Sequence, residues 1–190
     1  MSSLLFGSLL ALLAACTSQP PLPTVPEVDL ERFAGDWFVV AHIPAGSEEE
    51  AHNGVESYAL REDGKIATTY AFRDGGFDGP LEIMEPVGRV RDRETNATWG
   101  MRFFWFYEAE YLIAHLDEDY QETIVARTAR DYAWIMTRDP NPGEERLAEL
   151  EARLVELGYD TSELRRVPQR WPDEGHPANA SATRSASLMR

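Results

Sequence analysis

Between Trp37 and Arg138 the sequence divides into about eight short β-like segments separated by turn residues, and one amphipathic helical pattern comes after them. That order constrains the fold more than any other feature of the chain. Strands that bury one face and follow one another through short turns pair antiparallel, and closure of the sheet removes its edges. The expectation is an all-β closed antiparallel barrel, plugged at one end and serving as a container for an apolar molecule.

The first strand starts from a turn. Asp29 is placed to cap one helical turn over Leu30–Phe33, and Gly35 frees the backbone for a sharp bend into the strand. From Trp37 to Ile43, Trp37, Val39, Ala41 and Ile43 share one face, and Phe38, Val40 and His42 the other. Both faces are largely apolar, so the strand is covered on each side over part of its length. Asp63-Gly64 is a hairpin turn between Val55–Leu60 and Lys65–Phe72. Leu81–Met84 and Val87–Val90 read as a fourth strand broken near Pro86. In Thr98–Tyr107, Trp99, Met101, Phe103 and Trp105 alternate with Gly100, Arg102, Phe104 and Phe106. The aromatic density from Phe103 to Tyr107 exceeds what a narrow wall needs. Phe104, Trp105 and Phe106 are therefore placed at a strand end, to line a rim, contact a ligand, or touch a membrane or a second subunit. In the last strand Tyr132, Trp134, Met136 and Arg138 share a face opposite Ala133 and Ile135.

The helix is expected to start with Asn141 as cap, Pro142 in the first position and Glu144 completing a capping box. Leu147, Leu150, Leu154 and Leu157 form its apolar stripe, Gly158 stops it, and the small-sided face of the last strand is its seat.

The two ends differ from the middle. Residues 3–15 are uncharged and apolar, too short to span a bilayer but matched to a signal-peptide core. Leu13-Ala14-Ala15-Cys16 resembles the processing box of bacterial lipoproteins, although the basic residues that usually precede such a run are absent. The resemblance implies a signal peptide over 1–15 and an acylated Cys16. Thr17 after the cysteine implies the outer membrane, with the domain facing the periplasm. Pro20, Pro21, Pro23 and Pro26 suggest an extended tether over 16–28, the barrel domain is expected over 29–171, and 172–190 reads as disordered. Cys16 is the sole cysteine, so no internal disulfide is possible. A net charge of -15, from 33 acidic and 18 basic residues, opposes nucleic-acid binding. Membrane attachment therefore needs an apolar device.

Gly35-Asp36-Trp37, Glu118-Asp119-Tyr120 and Arg138 after Trp134-Ile135-Met136-Thr137 resemble, in order, the three signatures of the lipocalins. Arg61–Gly64, Asn96-Ala97, Arg102–Trp105, Leu116-Asp117 and Gly158–Ser162 through Gln169 are similar to the bacterial lipocalin outer-membrane lipoproteins. The resemblance implies an eight-stranded up-and-down barrel with the carboxy-terminal helix packed outside. It further implies that Gly35, Trp37 and Arg138 lock the closed end, with the guanidinium over the indole and bonded to carbonyls. The cargo it implies is a fatty acid or lysophospholipid, and by alternation Val39, Ala41, Phe103, Trp105 and Trp134 are the candidate lining residues. Glu56, Glu108 and Glu110 are expected to point outward. An inward carboxylate would penalise an anionic fatty acid and favour an amine or quaternary ammonium.

No catalytic residue, metal site or cofactor is indicated. The four histidines are scattered without ligand spacing, and the lone thiol lies in the leader. Two alternatives stay open: a lipid-modifying isomerase that uses a cavity Tyr or Glu, and an envelope module that forms a homodimer through Phe103–Tyr107.

Overall fold

The computed structural model describes residues 20–44, 46 and 48–177. The leader, Cys16, the tail from 178 onward and the side chain of Phe104 lie outside the described residues.

The strands are β1 (Gly35–Ile43), β2 (Ala51–Leu60), β3 (Ile66–Asp74), β4 (Leu81–Met84), β5 (Val87–Val90), β6 (Thr98–Phe104), β7 (Tyr107–Leu116), β8 (Glu122–Ala126), β9 (Ala133–Thr137) and the short β10 (Arg165–Arg166). Each follows its neighbour antiparallel, and β9 pairs back onto β1 from Phe38 opposite Thr137 to Ile43 opposite Ala133. β4 and β5 are halves of one strand. β4 pairs with the far half of β3, and β5 joins the near half of β3 to β6. The break contains Pro86, which has no N–H for the ladder, but its carbonyl still accepts from the Thr68 amide at 3.2 Å. With those halves counted as one, the sheet is a closed barrel of eight strands, with a helix packed on the outside.

Antiparallel order sorts the connections. The helical turn α1 (Leu30–Phe33), the β2–β3 turn, the segment before β6 and the β7–β8 loop gather at one end. The β1–β2 loop, the β6–β7 hairpin and the β8–β9 loop gather at the other. One apolar cluster fills the lower interior around Phe33, Trp37, Tyr58, Trp99 and Met136. A second lies outside the wall, where Leu147, Leu150 and Leu154 of α2 (Glu144–Glu156) cover Val40, Ala41, Ile43, Ala133 and Ile135. Burying those leucines contributes ~1.5–3 kcal/mol each, which holds a helix too short to be stable alone.

Three sequence expectations need correction. α2 starts with Gly143 at the cap position and no side-chain cap, because Asn141 closes a separate turn in which its amide donates to Asp139 Oδ1 at 2.8 Å. The proline-rich segment is not a free tether from residue 20 onward. Its Leu22 and Val28 are buried, and the Val25 and Val28 amides donate to Ile113 O at 3.0 Å and Thr95 O at 2.7 Å. Nor does order stop at Trp171. β1 and β2 pair only between residues 35–38 and 55–58. Beyond that they part, and the chain after β10 fills the seam. There the Val167 amide donates to Val40 O, the Asn53 amide to Pro168 O, and the Gln169 carboxamide to both Val39 O and Gly54 O. Asp173 then pairs with Arg73, and His176 is buried.

Candidate functional site

The closed end is built around Arg138, which leaves β9 beneath the barrel. Its guanidinium lies 3.8 Å over the Trp37 ring. It donates to the carbonyl of Asp36 at 2.7 Å and to those of Arg32, Phe33 and Ala34 at 3.0 Å. Burial lowers its pKa to about 10, which leaves it charged at neutral pH. Gly35, at φ 95°, turns the chain where an added Cβ would stand 3.4 Å from the guanidinium. Trp37 Nε1 donates to Phe33 O at 2.8 Å, and Trp99 Nε1 to Asn96 O at 2.7 Å. Tyr120 closes the circle, its hydroxyl accepting from the Asp29 amide at 2.8 Å while Arg32 sits 4.0 Å over its ring.

Above this floor is a cavity of ≈ 240 Å³, lined by Glu48, Glu56, Tyr70, Met84, Pro86, Met101, Phe103, Tyr107, Ala109, Tyr111, Tyr132 and Trp134. That is just below the ~300–1,000 Å³ usual for small-molecule sites, so it suits one chain or one small group. Rings set its lower limit. Trp99 and Tyr111 stack at 5.4 Å, Tyr111 continues to Trp134 at 6.2 Å, and the Tyr58 and Tyr111 hydroxyls bond to each other. Phe103 and Tyr107, partly exposed, mark the mouth.

Two polar atoms in this wall are buried without a partner, the Tyr70 hydroxyl and Trp134 Nε1. Their residues are 4% and 8% exposed, so water does not readily satisfy them. Glu56 also faces inward at 5% exposure, on β2 opposite Trp37 and Tyr70. Burial pushes its carboxyl up to about 8; neighbouring Glu48 adds to the rise and Tyr58 opposes it. Behind Glu48 lies His42, lowered to about 4 by burial and by Arg165, hence neutral at pH 7.

The residues singled out from the sequence separate. Phe103 and Trp134 line the cavity. Val39 lies in the interior cluster but does not border the cavity. Ala41 lies outside, under α2, because β1 bulges between Val39 and Ala41 and the faces exchange there. Trp105 is 88% exposed at the tip of the β6–β7 hairpin, beyond the register shift after Arg102, and does not line the cavity. Glu108 and Glu110 point away, the first to Arg91 and Arg102 and the second to the Thr128 amide at 2.7 Å. The inward Glu56 runs against the outward expectation, yet the signal was present: it stands two residues before Tyr58, so an inward Tyr58 carries Glu56 with it.

A family profile described as "Lipocalin-like domain" matches residues 28–169. The chain belongs to the lipocalin family. It is 27% identical to the temperature-induced lipocalin-1 of Arabidopsis thaliana over 163 residues, covering 80% of this chain and 86% of the relative. It is also 27% identical to the outer membrane lipoprotein Blc of Escherichia coli K12, covering 83% and 90%. Among solved structures, insecticyanin of the tobacco hornworm superposes with a TM-score of 0.62 at 16% identity, over 82% of this chain and 88% of that one. As a lipocalin-like barrel, the protein is consistent with lipid binding and transport in general.

Proposed function

We propose that this lipocalin binds a single-chain lipid, a fatty acid or lysophospholipid, in the barrel cavity at the bacterial outer membrane and releases it unchanged. The carrying observation is an apolar cavity, sealed below and open above, walled by Met84, Met101, Tyr111, Tyr132 and Trp134 with Phe103 and Tyr107 at its mouth. Among the described residues no cysteine, serine, histidine or lysine lines the space, which favours a carrier over a covalent catalyst that uses one of them.

The location reading rests on the Leu13–Cys16 box and on the similarity to a protein named as an outer membrane lipoprotein. The path of the chain supports it too. The Pro20 carbonyl accepts from Arg130 in the β8–β9 loop at 2.8 Å, so the described chain starts beside the mouth. Cys16 is four residues earlier, at most ~14 Å away along an extended chain. An acylated Cys16 then turns the mouth toward the bilayer, with the exposed Trp105 and Phe106 at the lipid surface. A homodimer through the same hairpin is the competing use of these rings.

Native mass spectrometry of protein extracted with its own lipids tests the carrier reading. One bound single-chain lipid per chain is expected. A ligand-free barrel that also fails to compete for a fluorescent fatty acid would overturn it.

A further inference from the structure

The cavity's charges and rings point to the chemistry of the group it holds. Among its described lining residues are two carboxyls, Glu48 and Glu56, and no lysine, arginine or histidine. A carboxylate ligand pushed down this space would meet no cation to offset its charge, and like charge from Glu56 once that group ionises. The same space is walled by Tyr70, Tyr111, Tyr132 and Trp134, with Phe103 and Tyr107 at the mouth. Aromatic faces beside acidic groups are what an alkylammonium needs when it leaves water. We propose that the cavity selects amphiphiles whose buried end is an ammonium, primary or quaternary, held between the aromatic wall and the Glu56 carboxylate, and discriminates against free carboxylates. This rests on the reading of the cavity as a lipid site and names its head group. A fatty acid that binds here keeps its own carboxylate outside the mouth.

Glu56 has a second consequence. The groups that face it are Glu48 from the β1–β2 loop, Tyr58 beside it on β2, Tyr70 on β3 and Tyr111 on β7, and none is cationic. With its carboxyl raised to about 8, an arriving ammonium displaces a proton at pH 7. Ammonium affinity therefore rises with pH up to that value, and the affinity of an uncharged amphiphile does not.

The test is calorimetric titration of the delipidated full-length protein with dodecyltrimethylammonium, dodecanoate and dodecanol below their aggregation limits. At pH 8 the ammonium should bind at least tenfold more tightly than dodecanoate, and its affinity should rise from pH 6 to pH 9. In Glu56→Gln, with the fold checked by circular dichroism, the preference should collapse and the pH dependence flatten. Dodecanoate equal to or tighter than the ammonium, with a flat pH series in the unaltered protein, overturns the inference even if the variant does not fold. Dodecanol separates the two levels: if it binds while the ammonium shows no preference, only the head-group inference fails. If none of the three binds, the carrier reading falls with it.

Discussion

The two ends of the barrel use the same residue types to opposite effect. At the closed end the indole N–H groups of Trp37 and Trp99 each reach a carbonyl, and Arg138 spreads its donors over the backbone beneath the barrel. In the cavity wall the Trp134 N–H and the Tyr70 hydroxyl are also buried but reach no partner, and Glu56 is held where its charged form is disfavoured. One end has its polar groups satisfied by the chain itself; the other keeps buried polar groups unpaired around an open space. The closed end is thus a layer that adds stability, and the cavity a layer that gives some up where its charged group is buried.

The largest effect is expected from Arg138→Met. It removes the cation over Trp37 and strands several buried carbonyls, so it should cost about 3–5 kcal/mol in urea-induced unfolding while leaving ligand affinity of the folded fraction little changed. A loss below about 1 kcal/mol would mean that the closed end is not where stability is concentrated. Next comes Glu56→Gln, which acts in the other layer and with pH. The folded carboxyl titrates at about 8 against 4.5 in an unperturbed chain, so the folded state holds more protons in between. Its burial therefore costs nothing below that window, and the cost grows as pH rises through it. The variant should match the parent at pH 4 and exceed it by up to a few kcal/mol at pH 9 in thermal or urea unfolding. Equal stability at pH 9 would place Glu56 in contact with water. The smallest change in stability, within about 0.5 kcal/mol, is expected from the double variant Trp105→Ser, Phe106→Ser, because both side chains are exposed. If the proposed mouth-down orientation holds, the same variant should reduce retention of the protein on phospholipid vesicles. Unchanged retention, together with loss of a concentration-dependent dimer, would assign the hairpin to self-association.

The closed end and the outer wall were legible in the sequence because local signals there agree. Asp29 caps α1, accepting from the Glu31 amide at 2.9 Å, the fourth strand breaks at Pro86, and the leucine stripe of α2 covers Ala133 and Ile135. The cavity was read less well, for reasons of register. One bulge after Val39 turns Ala41 outward, and strict alternation has no term for an inserted residue. A turn at the hairpin tip likewise ends the pattern that would have placed Trp105 inside. The seam between β1 and β2 depends on partners more than a hundred residues apart, such as Asn53 and Arg170, whose side chain and amide bond at 2.6 Å. Nothing local in either segment announces that contact.

That seam governs the order in which the molecule can be finished. β1 is made first, yet its neighbours β9 and β10 and the residues after β10 arrive near the end of synthesis. Until they do, β1 and half of β2 present open edges, so contacts this distant make assembly slow and leave a truncated chain sticky. A protein cut short before Val167 should therefore precipitate rather than persist as a smaller barrel: the ring has a clasp, and the clasp is sewn on last.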